Sequence, residues 1–589
     1  MALASFRVPR SHFAVRRIAA VILGALALAA SSPALCASQA FAKFVDDYFD
    51  AMFRFSPSQA SGAGLHAYDT SIENRSAASL RARIATLKAQ RLRLDTLRRK
   101  PLDTDEAIDG EMLAGAIRSE LLDLAELRVW QRNPMGYVSL PGGAIDVLIK
   151  RDFAPAPERL RAVTARLNGV PALLAAMRVN IGTRANDAPP REFTDLAIRI
   201  ARGSTGFFSA SVAPWAKQAA GADAQLLTDF TRANDAAAKA MGGAAEWLER
   251  ELLPRSNGRF ALGAARFSAK LRYDEMVDVP LAELLAIGVA NLNKDHDALI
   301  RLARELDPSK APQQVIASLE DERPTADALL ASVRDSLEDA RRFVVDHRIV
   351  TLPSEVRPRV EETPPYARDG RFASMDTPGP YEDKATEAFY YVTPPEKDWD
   401  AKHVEEHLRG FNRYEVDLTN VHEAFPGHYV QFLFEKQVPT RTRKLLFVGS
   451  NIEGWAHYAE QMMIEEGFRA GDLKVRIAQL TEALIRDCRF VVGIKLHTQG
   501  MSVKEGAQCF EKQAFQQPAN AYEEARRGAW NPTYLYYTLG KLEIYKLRDD
   551  YRRAKGSAYS LQGFHDDFVR QGSLPIPLMR RVMLRGGSG

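Results

Sequence analysis

The sequence of 589 residues has few cysteines, almost no charge imbalance and no long apolar run. Three cysteines are too few for a disulfide-rich scaffold. The two that remain after residue 37 have no nearby cysteine or histidine partners, so they do not make a structural zinc site. Cys488 and Cys509 could form one disulfide in an oxidising compartment, or they could be two buried thiols. Any metal chemistry must therefore come from other residue types.

The net charge gives no reason to expect an acidic partner. The formal charge of +4 comes from 79 basic and 75 acidic residues. Four of the basic residues and no acidic residue lie within residues 1–37, so the remaining chain carries 75 of each sign. This balance removes any electrostatic argument for binding to nucleic acid or to an anionic membrane.

Residues 1–37 have the pattern of a secretory signal peptide, with a basic stretch, an apolar stretch at 18–30 and a site of small residues. The apolar stretch is too short to span a bilayer. We therefore expect cleavage, a periplasmic or secreted location and no stable membrane insertion afterwards. A retained N-terminal anchor is the alternative, while Leu35 directly before Cys36 argues against lipidation.

The chain is too long for one hydrophobic core, since single cores stop growing near ~250–300 residues, so two or more lobes are expected. Apolar residues such as Leu80 and Leu87 recur with a helical period over residues 38–350. Prolines crowd the connection at residues 351–400 and exclude a continuous helix there, and helical patterns return over residues 401–585.

One short strand is predicted inside the proline-rich connection. Residues 388–393 are mostly β-branched or aromatic, and Pro394 and Pro395 close the run. We expect this strand to lie at a sheet edge, where it could hold an extended peptide by main-chain pairing.

The sequence HEAFPGH, from His422 to His428, is the most distinctive chemical feature. Zinc peptidases place two histidines on one helix face, and the glutamate beside the first histidine acts as general base. Here the spacing of six residues is wrong for a regular helix. A local bulge at Pro426 and Gly427 could bring His428 back towards His422. The alternative is a pair of buried structural histidines.

A second motif supplies candidates for a third ligand. Glu453, His457 and Glu460 occupy positions i, i+4 and i+7 of a predicted helix and share one face. Polar groups on an otherwise apolar helix need partners, and a metal ion would be one. For Glu453, a favourable charge at the N-terminus of the helix is the alternative.

Four stretches of the sequence resemble the domain of unknown function 885 family: HEAFPGH, EGWAHYAE, RFVVGIKLH and NPTYLYYTLGKL. This bacterial family is placed among the gluzincin-type zinc peptidases, with a helical fold similar to angiotensin-converting enzyme and neurolysin. The specific motifs lie between about residues 385 and 545, and the organisation of most of the mature chain is similar.

The resemblance implies a role for each matching residue of the first two motifs. His422, His428 and Glu453 would be the zinc ligands, and Glu423 would be the general base that activates water. The family usually carries an apolar residue where His457 stands, which argues against His457 as a ligand.

The resemblance also implies two donors to the scissile carbonyl or its oxyanion, His497 and Tyr537. Tyr534 and Tyr536 lie beside Tyr537 in sequence and compete for that role. Core aromatic residues with satisfied hydroxyl groups are the alternative for this cluster.

A second histidine pair fits an inverted zinc motif. His403 and His407 belong to the sequence HVEEH and have one-turn helical spacing. Charged neighbours surround them and little apolar periodicity accompanies them, so we interpret this segment as a solvated charged helix.

We therefore expect a mostly α-helical, two-lobed metallopeptidase-like fold with a central cleft and a short edge strand. Residues 401–585 would form the catalytic region, with Zn²⁺ as cofactor and a peptide as substrate. The alternatives are a zinc hydrolase of another amide or peptide conjugate, and a non-catalytic periplasmic binding protein with a vestigial site.

Overall fold

The computed structural model describes residues 33–182, 187–363, 373–396 and 399–585. These residues form a mostly helical structure with one small three-stranded sheet, as the sequence predicts. Most of the predicted signal peptide, residues 1–32, lies outside the described residues. None of the described helices is long and apolar enough to cross a membrane.

Helices occupy the chain up to Asp346. Their starts follow familiar rules: for example, Asp103 and Glu106 form a capping box at the helix that begins at Thr104. The α-helices are Pro33–Phe55, Pro57–Gly62, Ala77–Leu97, Thr104–Leu121, Val129–Arg132, Met135–Val138, Leu140–Ile149, Ala156–Asn180, Arg191–Phe207, Ala213–Ala220, Ala224–Trp247, Ala264–Asp274, Leu281–Leu306, Pro312–Leu319 and Leu329–Asp346.

The second set of helices begins at Ala401, after the sheet. They are Ala401–Arg409, Arg413–Glu423, His428–Glu435, Arg441–Leu445, Gly449–Glu465, Leu473–Thr498, Val503–Lys512, Pro518–Trp530, Tyr536–Lys555, Leu561–Val569 and Ile576–Met583. Short 3₁₀ or π segments lie at His66–Tyr68, Leu122–Glu126, Phe208–Val212, Leu248–Leu252, Leu253–Arg255, Ala326–Ala328 and Gly556–Ala558.

The sheet contains strands β1 (Arg359–Glu362), β2 (Ala373–Asp376) and β3 (Phe389–Val392). β3 confirms the strand predicted at residues 388–393, but its predicted edge position is wrong. β3 is the central strand, parallel to β1 and antiparallel to β2. Both of its edges are already paired, so β3 has no free main-chain groups for a peptide, whereas β2 lies at an edge of the sheet.

The largest hydrophobic core joins the sheet to helices from distant parts of the chain. It includes Leu329–Asp346, Gly449–Glu465 and Ile576–Met583, and it also takes Ile108 and Met112 from the N-terminal region. The N-terminal and C-terminal helical regions therefore share a core. A second large core is formed mainly by residues 135–252.

Cys488 and Cys509 form a disulfide, with their Cα atoms 5.8 Å apart. This bond links the Leu473–Thr498 helix to the Val503–Lys512 helix. Of the two alternatives, one disulfide or two buried thiols, the structure has the disulfide.

Candidate metal centre

The HEAFPGH motif folds as two helices separated by a sharp turn. The Arg413–Glu423 helix ends directly after His422, and the next helix begins at His428. The chain is therefore broken at residues 424–427 rather than bulged within one helix. His428 nonetheless lies close to His422, as predicted, because the centroids of the two imidazoles are 4.9 Å apart.

Gly427 is required by this turn. Its N–H donates to the carbonyl of Val421 at 3.0 Å, and a Cβ added to Gly427 would overlap the carbonyl oxygen of His422. The second motif also supports the turn, because the fully buried Trp455 donates its indole N–H to the carbonyl of Pro426 at 2.9 Å. The two motifs therefore hold each other in place.

Three predicted ligands converge on one point. The Nε2 atoms of His422 and His428 lie 3.7 Å and 3.5 Å from Glu453 Oε2. One ligand atom from each of the three residues lies within 4.8 Å of the others. Among the described residues this is the only group of three or more histidine, cysteine or acidic side chains close enough to hold one metal ion.

The geometry fits a zinc ion. Two ligands at ~2.1 Å from a tetrahedral zinc lie about 3.4 Å apart, close to the observed distances. Two histidines and one glutamate are a donor set of catalytic zinc sites, which leave the fourth position to water or substrate. The His422, His428 and Glu453 side chains therefore match both the chemistry and the spacing that zinc needs.

Glu460 orients His422 through the ring nitrogen that faces away from Glu453. Its Oε1 atom lies 2.6 Å from His422 Nδ1, which leaves Nε2 of the same ring directed at Glu453. A carboxylate on the outer ring nitrogen fixes the tautomer of a metal-binding histidine and increases its basicity. The same carboxylate contacts His457 Nδ1 at 3.1 Å and Arg486 Nη2 at 3.4 Å. His457 is thus a neighbour of the site rather than a ligand.

Electrostatics in this cluster favour charged carboxylates. Burial alone would raise the pKa of Glu453, but His422 and His428 lower it well below its usual value. Burial likewise opposes ionisation of Glu460, but Arg486 and His457 hold its pKa well below the usual value. Both carboxylates are therefore ionised around neutral pH, as metal binding and histidine orientation require.

Glu423, the predicted general base, is held by the sheet. Its Oε2 atom accepts a hydrogen bond of 3.1 Å from the main-chain N–H of Met375 in β2. Glu423 also follows His422 directly, at the end of the helix. Sequence reasoning missed Met375, because a main-chain donor leaves no signal in the residue type, and it missed Arg486, which lies outside the recognised motifs.

The three candidate tyrosines have different surroundings. Tyr534 is fully buried, while the hydroxyl group of Tyr537 accepts a hydrogen bond from Arg527 at 3.3 Å. Tyr536 packs against Gly449, one turn before Glu453. Burial raises the pKa of Tyr536, and the charge of Glu453 adds to the effect. Tyr536 therefore joins Tyr537 as a candidate donor, and the catalytic role of Tyr537 stays a prediction.

His497 is a structural residue, which corrects its predicted catalytic role. Its Nε2 atom contacts the carbonyl of Gly528 at 2.8 Å, and its Nδ1 accepts from the N–H of Leu262 at 3.4 Å. The rings of Phe260 and Phe267 pack against it, and only 1% of the residue is exposed. Burial lowers its pKa to about 4. Both ring nitrogens are engaged, so His497 has no N–H left for a substrate.

The segment that carries His403 and His407 is a surface helix, which confirms its interpretation from the sequence. His403 is largely exposed and lies 2.9 Å from Asp400, whereas His407 Nε2 contacts the carbonyl of Thr393 at 2.8 Å. The two imidazoles therefore have separate partners on the Ala401–Arg409 helix.

Two solved structures from bacteria have the same fold. One, from Shewanella oneidensis, is described as a candidate lipoprotein of unknown function. It is 28% identical with a TM-score of 0.77, and the match covers 94% of this chain and 100% of that chain. The other, a candidate lipoprotein from Colwellia psychrerythraea, is 17% identical with a TM-score of 0.78, over 92% and 98% of the two chains. No curated protein sequence gives a significant match.

The fold and the site together define a large α-helical protein that carries a largely buried His–His–Glu cluster. The sequence pattern of one family, described as bacterial protein of unknown function (DUF885), matches residues 57–583. The chain belongs to this family.

Proposed function

We propose that the protein is a zinc-dependent peptidase of the gluzincin type, as the resemblance of its motifs implies. The observation that carries the proposal is the convergence of His422, His428 and Glu453 at ligand spacing. Glu423 lies next to this cluster in the chain and has the residue type of a general base.

Zn²⁺ bound by these three side chains would polarise a peptide carbonyl and make a water molecule more acidic. Glu423 would take a proton from the attacking water and return it to the leaving amine. The Met375 N–H fixes the carboxylate of Glu423 for this purpose. A hydroxyl group of Tyr536 or Tyr537 would stabilise the oxyanion.

β2 is the strand that we propose for substrate pairing, in place of β3. The N–H of Met375 donates to Glu423, so it faces away from β3 and towards the candidate base. Within the described part of the sheet, no further strand covers this side of β2. An extended peptide bound along it would pass close to Glu423, since main-chain pairing to a free edge is a common mode of peptide recognition.

We also propose that the protein acts outside the cytoplasm. The signal-peptide pattern of residues 1–37 supports export, and both structural neighbours are described as candidate lipoproteins. The disulfide between Cys488 and Cys509 suits an oxidising compartment.

The proposal is tested by the Glu423→Gln variant on a mixture of peptides, with cleavage followed by mass spectrometry. Glutamine keeps the volume and can still accept the Met375 N–H, but it cannot act as a base. Hydrolysis should fall by about two or more powers of ten while the zinc content stays at the wild-type level.

Three results would contradict the proposal or a part of it. Peptide hydrolysis within a few-fold of wild type in the Glu423→Gln variant would remove Glu423 from the mechanism. A zinc-loaded wild type that cleaves other amides or peptide conjugates but no simple peptide would indicate a different hydrolase. Absence of zinc after careful purification would favour a binding protein.

A further inference from the structure

A cavity of about 330 Å³ lies at the N-terminus of the helix that carries Glu453. Gly449, the first residue of this helix, lines the cavity one turn before Glu453. Tyr536 lines it as well, and a Cβ added at Gly449 would lie 2.8 Å from the Tyr536 ring. Because Gly449 lies one helical turn before Glu453 on the same helix, the cavity lies close to the candidate metal centre.

The helix N-terminus in this cavity is already occupied by a carboxylate. Glu275 Oε2 accepts the main-chain N–H of Ser450 at 3.0 Å, and only 3% of Glu275 is exposed. A free helix N-terminus would attract an anionic group such as the terminal carboxylate of a peptide. Here Glu275 takes that position, so a second anion would find this N–H already engaged. Burial raises the pKa of Glu275 to about 7, and a cation placed against it would favour the ionised form.

The other two charged side chains that line the cavity, Lys270 and Asp274, have opposite charges. Lys270 is the one lysine in the lining, and its Nζ lies 3.1 Å from Asp274 and 3.4 Å from Asp123. Its charge is therefore compensated by these two acids. Among the ion pairs of the described residues, none involves Glu275. The cavity is therefore favourable to a positive group.

The walls of the cavity are mixed, with apolar residues over about half of the lining. Met112, Met276 and Leu446 contribute to them, and Phe447 lines the cavity while 67% of it is exposed to solvent. The volume lies at the lower end of ligand pockets, which start at about 300 Å³. Apolar walls beside the carboxylate of Glu275 suit a long aliphatic chain that ends in a cation, because the chain packs on the apolar residues while its charged end meets the carboxylate.

We propose that this cavity binds the lysine or arginine side chain of a peptide cleaved at the neighbouring metal centre. The proposal rests on the proposed peptidase function and adds a substrate class to it: peptides with a basic residue next to the scissile bond.

The test uses peptides blocked at both ends that differ at one position, which carries lysine, arginine, norleucine or glutamate. Norleucine has an aliphatic chain like that of lysine but no charge. For the zinc-loaded wild type, kcat/KM should be about tenfold or more higher for lysine and arginine than for norleucine, and lowest for glutamate. Equal values for lysine and norleucine, or higher values for glutamate, would overturn the proposal.

Variants locate the preference in the cavity. Asp274→Asn and Glu275→Gln should each bring the lysine-to-norleucine ratio towards one. Asp235→Asn is the matched control, because Asp235 is exposed on the separate Ala224–Trp247 helix, and it should keep the wild-type ratio. A wild-type ratio in both cavity variants would contradict the assignment. Two variants are needed because Glu275 also caps a helix.

Direct binding separates this proposal from the peptidase proposal. Calorimetry with acetyl-lysinamide should show tighter binding than with acetyl-norleucinamide, and Glu275→Gln or Asp274→Asn should weaken it, whether or not any peptide is cleaved. Binding of leucinamide, which has a free α-amino group, but not of acetyl-lysinamide would overturn the side-chain assignment. If lysine binds as expected but no peptide is hydrolysed, the peptidase proposal fails and the cation site stands.

Discussion

Glu460 shows how the structure distinguishes residues that look equivalent in sequence. Glu453, His457 and Glu460 share one helix face, and any of them could be a ligand on spacing alone. In the folded protein, Glu453 faces the Nε2 atoms of both histidines, whereas Glu460 contacts His422 from the Nδ1 side. The three residues therefore have three separate positions: Glu453 as candidate ligand, His457 as its neighbour and Glu460 as the group that orients His422.

These roles predict an order of zinc affinities. Glu453→Ala should weaken zinc binding most, by several kcal/mol, because it removes one of three protein ligands. Glu460→Ala should weaken it by about 10- to 100-fold, as loss of an orienting carboxylate does. His457→Leu should have the smallest effect, since His457 contacts Glu460 rather than the ligand group.

Competition with a chelator of known affinity measures the three dissociation constants against wild type. A larger loss in Glu460→Ala or His457→Leu than in Glu453→Ala would show that the third ligand has been assigned wrongly.

The turn between the two histidine-bearing helices is the element on which the metal centre depends most. Sequence reasoning could predict an interruption at Pro426 and Gly427, because proline and glycine disfavour a continuous helix. It could not predict that Trp455 would bond the carbonyl of Pro426, since that contact joins two elements distant in sequence.

Gly427→Ala should abolish zinc binding or prevent folding, because the added Cβ would overlap the carbonyl oxygen of His422. Gly242→Ala is the matched control: Gly242 lies within the Ala224–Trp247 helix with open space around it, so alanine should be neutral or slightly stabilising. Zinc content and thermal unfolding of both variants check this. A Gly427→Ala protein with wild-type zinc content would contradict the described turn.

The strand at residues 389–392 shows what local patterns can and cannot supply. Its β-branched and aromatic residues predicted a strand correctly, but its central position depends on β1 and β2. Those two strands are four residues each, and Arg359–Glu362 and Ala373–Asp376 show no clear apolar alternation. The predicted donor role of His497 was wrong for a related reason, because its partner Gly528 lies on another helix. Local motifs identified the candidate metal ligands, whereas contacts between elements distant in sequence could not be predicted from them.

His66 connects the N-terminal region to the segment after β2. Its Nδ1 lies 2.9 Å from Asp69 and its Nε2 lies 2.9 Å from Glu382. The ring also stacks on Phe153, at a centroid distance of 3.9 Å. Burial alone would lower the pKa of His66, but the hydrogen bonds to the two carboxylates raise it overall.

This bridge predicts a stability that depends on pH. Because the pKa of His66 is higher in the folded than in the unfolded protein, where it is about 6.5, the stabilisation is complete below that pH. It is lost as pH rises through the folded-state pKa. His66→Gln should therefore lower Tm more at pH 6 than at pH 9. His347→Gln, at an exposed histidine, is the control, and an equal loss at both pH values in His66→Gln would exclude the bridge.

At the scale of the whole molecule, composition and periodicity predict a helical fold. They do not predict how the N-terminal and C-terminal helical regions pack against each other. The largest core combines Ile108 and Met112 with residues beyond position 329, so the segments at 38–350 and 401–585 are packed together. The two-lobed arrangement with a central cleft stays a prediction. The candidate metal centre lies beside this shared packing, since Val421 and Trp455, which lie within two residues of His422 and Glu453 in sequence, both belong to the largest core.

The central claim is that His422, His428 and Glu453 bind zinc, and metal analysis of the purified protein tests it most directly. Inductively coupled plasma mass spectrometry should find about one zinc per chain in the wild type, as in mononuclear sites. His428→Ala should lose this zinc, whereas His407→Ala, a histidine on the Ala401–Arg409 surface helix, should retain it. A wild type without bound metal, or full zinc in His428→Ala together with its loss in His407→Ala, would contradict the account.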